Sequence, residues 1–128
     1  MTKTLLNIVE SAYRGTLEEQ DDTVVWLTHA MHGAGADLAV LLRGNAVNYA
    51  VRGQDASGLC FGARRQSNPP RVDEEVAKLV RKGVAVFAVE EDVAERGILP
   101  AELIDGVDLL PRRAMARLLG GYDQVWHW

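Results

Sequence analysis

Cysteine is nearly absent from this chain. Cys60 is the only one, so no disulfide can close within it, and a lone thiol suits a reducing compartment such as the cytoplasm. No apolar run approaches the about 20 residues that a membrane-spanning helix needs. The opening Met1-Thr2-Lys3-Thr4-Leu5-Leu6-Asn7 has neither the apolar core nor the small-residue cleavage site of a signal peptide, so none is expected. Positive charge is also short. Fourteen Lys and Arg face 18 Asp and Glu, giving a net charge of −4, so neither nucleic acid nor a membrane is an expected partner. Glycine-rich phosphate cradles are missing, with neither GxGxxG after the first strand-like segment nor GxxxxGK[ST], and no GxSxG elbow occurs. Nucleotide-cofactor enzymes and serine hydrolases are thereby demoted, and no cofactor is expected.

What is present is a globular composition. The chain has 128 residues, 48% of them apolar and 25% charged, enough for one real core and too apolar for disorder. Short apolar runs at Thr4 to Glu10, Leu38 to Leu42, Val84 to Val89 and Val107 to Leu110 have the length of buried strands, and Tyr122 to Trp128 reads as a terminal strand. Between them lie helical patterns. Asp21 and Asp22 supply capping carboxylates for a helix to about His32 with Val24, Leu27 and Met31 inward; Gly33-Ala34-Gly35 ends it. Asn45 caps a short helix from Ala46 to Val51. Asp73 to Lys82 buries Val76, Leu79 and Val80. Glu90 to Glu95 is a turn or short helix, Pro100 opens a helical segment through Ile104, and Pro111 opens a helix to about Leu119 with Met115 and Leu118 inward. Ser11 to Glu19, hinged at Gly15, and Arg52 to Arg71 read as loops, the second long enough to be functional or mobile. Strands alternating with amphipathic helices predict an α/β fold: a three-layer, Rossmann-like parallel sheet of about five strands with helices on both faces. No repeat, low-complexity tract or linker divides it, so residues 1–128 are read as one domain.

In open parallel sheets, ligands bind beyond the carboxyl ends of the strands. That rule selects the stretch from Glu10 to Gly15 with Tyr13 and Arg14, then Arg43-Gly44-Asn45, then Val89 with Glu90-Glu91-Asp92, and the loop around Cys60. Cys60 precedes Arg64 and Arg65, two cations able to favour a nucleophilic thiolate; the plain alternative is a small apolar residue tucked under the loop beside Leu59 and Phe61. Three adjacent carboxylates at Glu90, Glu91 and Asp92 repel one another. Crowding raises carboxyl pKa values and could make one a general acid or base; the plain alternative is an acidic first turn that caps the next helix and faces water. His29 and His32 have a metal-compatible spacing but no recognisable third ligand, so an exposed helix surface explains them better and no metal is assigned. His127, between Trp126 and Trp128, reads as structural or interfacial.

The segment Asn45-Ala46-Val47-Asn48-Tyr49-Ala50-Val51-Arg52-Gly53-Gln54 is similar to the YchN-like branch of the DsrE/DsrF family. The likeness resumes at Val84 to Val89, at Arg96-Gly97-Ile98 and at Leu103-Ile104-Asp105-Gly106-Val107, and ends with Tyr122-Asp123-Gln124-Val125-Trp126. The resemblance implies a compact parallel-sheet subunit that assembles into a homo-oligomer, a trimer or hexamer, with a sulfur-relay protein as partner. It also implies a persulfide-carrying cysteine just after the third strand, a few residues before the Arg-Gly pair. In YchN-like members a second cysteine often follows shortly; counting back from Arg96, those positions fall on Val89 and Asp92, neither of which can hold a persulfide. Three functions therefore stand: an oligomeric binding or regulatory module without the usual thiol; a sulfurtransferase using Cys60 as a relocated nucleophile helped by Arg64 or Arg65; and an acid–base or metal-assisted enzyme using Glu90, Glu91 and Asp92 with Asn45 or Tyr13.

Overall fold

A computed structural model describes residues 3–13 and 22–128. The expected roles of Arg14, Gly15 and Asp21 lie outside the described residues. Five strands form one parallel sheet: β1 (Thr4–Val9), β2 (Asp37–Leu42), β5 (Ala85–Val89), β6 (Val107–Leu110) and β7 (Gln124–His127), in the spatial order β6-β5-β2-β1-β7. Two short strands, β3 (Cys60–Phe61) and β4 (Arg64–Arg65), pair antiparallel as a separate hairpin. The helices are α1 (Thr23–Gly33), α2 (Val72–Arg81), α3 (Glu90–Glu95) and α4 (Met115–Leu119), with 3₁₀ turns at Gly44–Ala50, Pro100–Glu102 and Arg112–Ala114.

The alternation of side chains along each strand divides the core into two. On one face Leu5, Val9, Leu38, Val40, Leu42, Val86 and Ala88 pack beneath α1, α2 and the 3₁₀ helix Gly44–Ala50. On the other, Leu6, Ile8, Ala39, Leu41 and Val89 meet Met115, Leu118 and Leu119 of α4 together with Tyr122. Among the described residues, the first face carries most of the helical cover, and the second has the short α4 and its preceding turn. A cavity of about 510 Å³ opens there, lined by Leu110, Ala114, Arg117, Leu118, Gly121 and Tyr122.

Local chemistry explains the elements. Asp22 caps α1: one carboxylate oxygen accepts the backbone N–H groups of Val24 and Val25 at 2.8 and 3.1 Å. α2 opens with Asp73, Glu74 and Glu75 and closes with Lys78 and Arg81, matching both ends of its dipole. Asn7, fully buried in the middle of β1, is satisfied in place: its amide donates to Thr28 Oγ1 of α1 at 3.1 Å, and its oxygen accepts the Trp128 indole N–H at 3.4 Å.

Several expectations need correcting. The buried stripe of α1 is Val24, Val25 and Thr28, with Leu27 and Met31 only partly covered. His29 is not on an open surface. It lies between α1 and α2, its Nε2 at 2.9 Å from the Glu75 carbonyl and its Nδ1 at 2.9 Å from Lys82 Nζ, because α2 packs against that side of α1. Asn45 is not an N-cap, since the 3₁₀ helix already starts at Gly44 and makes no side-chain cap bond. The helix expected from Pro111 to Leu119 is a 3₁₀ turn followed by α4. Val80 is only partly buried, while Asp73 is buried with Val76 and Leu79. Cys60 is exposed and not tucked under its loop, because Leu59 and Phe61, its expected cover, face solvent themselves.

Candidate functional site at the strand ends

The parallel registers place the strand tails together. Val9 is level with Leu42, Leu42 with Ala88, Val89 with Leu110, and Ile8 with His127. The order of strands reverses at β1, so the residues that follow share one rim beside the reversal. Backbone bonds fix that rim: Glu10 N–H donates to the Trp128 carbonyl, Arg43 N–H to Val9 and Ala46 N–H to Glu10.

A continuous charged lattice covers the rim. Glu10 lies between Arg43, at 3.3 Å, and His127, at 3.2 Å. Asp92 stands at the centre, in the first turn of α3. Its Oδ2 accepts the Gly44 N–H at 2.8 Å and its Oδ1 accepts the Arg112 guanidinium at 2.6 Å. Gly44 takes a positive φ of 55°, and a side chain there would press on Glu10 Cγ at 3.3 Å. Glycine therefore holds this left-handed turn, whose N–H bonds Asp92, without crowding Glu10. Arg96 completes the lattice by donating from Nε and Nη2 to Asn45 Oδ1 at 3.1 and 2.8 Å, and from Nη1 to the Asp92 carbonyl. Glu91 accepts the Arg112 backbone N–H on both oxygens.

These bonds reverse the expected electrostatics of the acidic triplet. Burial pushes the Asp92 carboxyl up, but the Gly44 N–H and the Arg112 guanidinium outweigh it and hold the carboxyl below its ordinary value. The Arg112 backbone N–H likewise holds Glu91 down. Arg112 in turn is raised by its bond to Asp92. Crowding of like charges is thus overruled by local donors, and Asp92 is largely buried instead of facing water.

The rim brings together Glu10, Asn45 and Asp92 and leaves other candidates elsewhere. Val89 is fully buried, its side chain in the cluster beneath α4. Glu90 is exposed at the start of α3. Tyr13 turns away to a second cluster. It has a left-handed φ of 57°, its backbone N–H donates to the Tyr49 hydroxyl, and its own hydroxyl donates to Gln54 Oε1 at 2.9 Å. The two tyrosine rings meet edge to face, with centroids 5.3 Å apart. Tyr49 is fully buried and donates to Asp22 Oδ2 at 2.5 Å. Burial and the negative charge of Asp73 push the Tyr13 phenol up. Cys60 sits across the hairpin from Arg65. Among the described residues, no group of three or more His, Cys, Asp and Glu side chains could hold a metal ion.

Sequence reasoning missed Arg43, Arg96 and Arg112 as partners of the acids. Their signal was present, since a basic residue follows β2, α3 and β6, but pairing needed the strand order. Tyr49 and Gln54 lay within the stretch that carried the resemblance, with nothing to assign them a role.

An open, five-stranded parallel sheet with a charged rim at its carboxyl edge defines the class as an α/β protein of the YchN-like fold. The structure is similar over its whole length to the ychN protein from E. coli, with a TM-score of 0.74, 21% identity and full coverage of both chains. It is also similar to MTH1491 from Methanobacterium thermoautotrophicum, described as a protein of unknown function, with a TM-score of 0.64 at 14% identity over both full chains. No family model matches the sequence, and no curated protein matches it. Among the described residues, no helix is long and apolar enough to cross a membrane.

Proposed function

We propose that this chain is a cytoplasmic, homo-oligomeric binding or regulatory module of the YchN-like fold whose strand-end rim does not carry sulfur. The observation that supports this reading is Asp92. The resemblance places its two cysteine positions at Val89 and Asp92, and here Gly44 N–H and Arg112 occupy the two oxygens of Asp92. A carboxylate is acceptor-only, and this one is held anionic, so the rim offers a fixed pattern of charge and not a nucleophile. The same bonds disfavour Asp92 and Glu91 as proton-transfer groups, which need a pKa near the working pH.

Assembly is supported by the thin cover beneath α4 and by exposed Trp126 and Trp128, which pack edge to face at 6.4 Å beside the open edge of β7. A second copy of the chain is the occupant proposed, in a trimer or hexamer. Sedimentation equilibrium at micromolar concentration should show it, and a lone 14.0 kDa species would overturn it.

A second reading keeps sulfur transfer and relocates it to Cys60. Its support is the exposure of the thiol on a hairpin opposite Arg65. The Cys60 thiolate would attack the outer sulfur of a donor persulfide, retain that sulfur as Cys60–S–SH and release the donor thiolate. Mass spectrometry after incubation with a persulfide donor separates the readings. The module reading expects no adduct of about 32 Da, one sulfur atom. An adduct that disappears in Cys60→Ser would establish the second reading and overturn the first.

A further inference from the structure

The cavity beside α4, at about 510 Å³, falls within the size range of small-molecule sites. Ala114, Arg117 and Leu118, spaced i, i+3 and i+4, turn one stripe of this helical segment toward it, and Leu110, Gly121 and Tyr122 complete the wall. Arg117 alone among these lining residues is charged. Burial and the charge of Asp37 push the Tyr122 phenol up, so it stays protonated and adds no charge at neutral pH. Arg117 is exposed and makes no hydrogen bond or ion pair with any described residue. By contrast Arg43, Arg96 and Arg112 of the rim are each committed to an acceptor. A long cationic side chain lays its stem along apolar surface and keeps its head in water, which puts the guanidinium at the mouth of the cavity. Arg113, about one turn earlier, is likewise exposed without a described partner. Like charges one turn apart repel, and an anion at the mouth relieves that repulsion.

The geometry points to a binding site for a monocarboxylate with an apolar body, its carboxylate on the Arg117 guanidinium and its carbon chain against Leu110, Ala114 and Leu118. A planar guanidinium meets a carboxylate through two parallel hydrogen bonds, a match that a point charge cannot give. One negative charge is favoured over several. The chain carries −4 overall and Asp37 acts on the Tyr122 phenol at the wall, so a polyanion would meet repulsion. The strand-end rim supplies none of the lining residues, so the site rests on neither reading of that rim. It shares the open face proposed for contact between copies, which makes a second copy the competing occupant.

The test is a titration of the full chain with sodium hexanoate, followed by amide NMR at Leu110, Ala114, Leu118, Gly121 and Tyr122, at a low and a high protein concentration. Saturable shifts at these amides are expected, whereas sodium acetate, n-hexylammonium chloride and sodium chloride should give none. Arg117→Gln keeps the stem and removes the charge, and affinity should fall about tenfold. Ala114→Leu fills the cavity without touching Arg117 and should abolish the shifts, so either variant alone keeps the test decisive. A response to hexanoate no different from sodium chloride would overturn the inference. Equal binding of acetate would reduce the site to an unspecific surface anion, and equal binding of hexylammonium would remove the role of Arg117; either would overturn it. So would undiminished binding by both variants. Shifts that vanish at the higher concentration, while sedimentation shows assembly, would assign the cavity to a second copy and overturn it as well. A chain that stays monomeric and still binds hexanoate would uphold this inference while overturning the proposed assembly.

Discussion

Removing one oxygen atom, by Tyr49→Phe, tests the buried network that joins the loop after β1 to α1. The Tyr49 ring is fully buried and meets Tyr13 edge to face, and phenylalanine keeps both features. What changes is the hydroxyl, which donates to Asp22 at 2.5 Å and accepts the Tyr13 N–H. Asp22 is itself fully buried, so the lost donor cannot be replaced readily by water. A hydrogen bond to a charged group contributes about 1.5–3 kcal/mol, and about 2 kcal/mol is expected here because the Val24 and Val25 N–H groups still hold the other carboxylate oxygen. For 128 residues the unfolding entropy is about 0.27 kcal/mol/K, so Tm should drop by about 7 °C. Urea denaturation at a fixed protein concentration is the assay, with an unchanged m-value showing that the unfolding transition is the same. Tyr13→Phe is the control. Its hydroxyl bond to Gln54 is exposed, and about 0.5 kcal/mol or less should be lost. If the two variants lose equal stability, the buried Asp22–Tyr49 pair does not carry the weight assigned to it.

Acid should weaken the fold through the rim. Asp92 and Glu91 are held below their ordinary values in the fold, and so is Asp123 by Thr4, so the unfolded chain takes up protons first as pH falls. Their stabilisation is whole above about pH 5 and is lost as the pH passes the ordinary carboxyl value of about 4 toward the folded ones. Asp92→Asn should therefore lower Tm at neutral pH and converge on the parent in acid; parallel Tm curves would refute this. Gly106 has a φ of 92°, and a Cβ there would lie 2.5 Å from Val80 Cγ1. Gly106→Ala should cost about 2 kcal/mol or more from strain and overlap, and adding Val80→Ala should recover the overlap part alone in denaturant melts. An unchanged loss in the double variant would show that backbone strain explains everything. Gly44→Ala, which crowds Glu10 and strains the donor to Asp92, should flatten the acid dependence as Asp92→Asn does.

Much of the architecture was legible because it depends on local pattern. Continuous apolar runs at Leu38 to Leu42 and Val84 to Val89 can be satisfied only by strands covered on both faces, and parallel pairing follows from the helices between them. Asp22 was readable as a cap, since capping joins residues two or three apart. Arg52 to Arg71 was harder. Its hairpin, with Cys60 facing Arg65, is too short to leave a periodic signature, and the exposure of the thiol depends on what fails to pack over it.

The sequence by itself determined that the strand tails would carry Glu10, Asn45 and Asp92, because each follows an apolar run that had to be buried. Only the tertiary structure decided what those residues do. Arg112 reaches Asp92 across 20 positions and Asn45 meets Arg96 across 51, through a strand order that no local pattern encodes. Tyr13, adjacent to the same rim in the chain, is drawn off to Tyr49 and Gln54. Charge in a protein is set by the donors within a few ångströms, and which donors those are is a property of the fold.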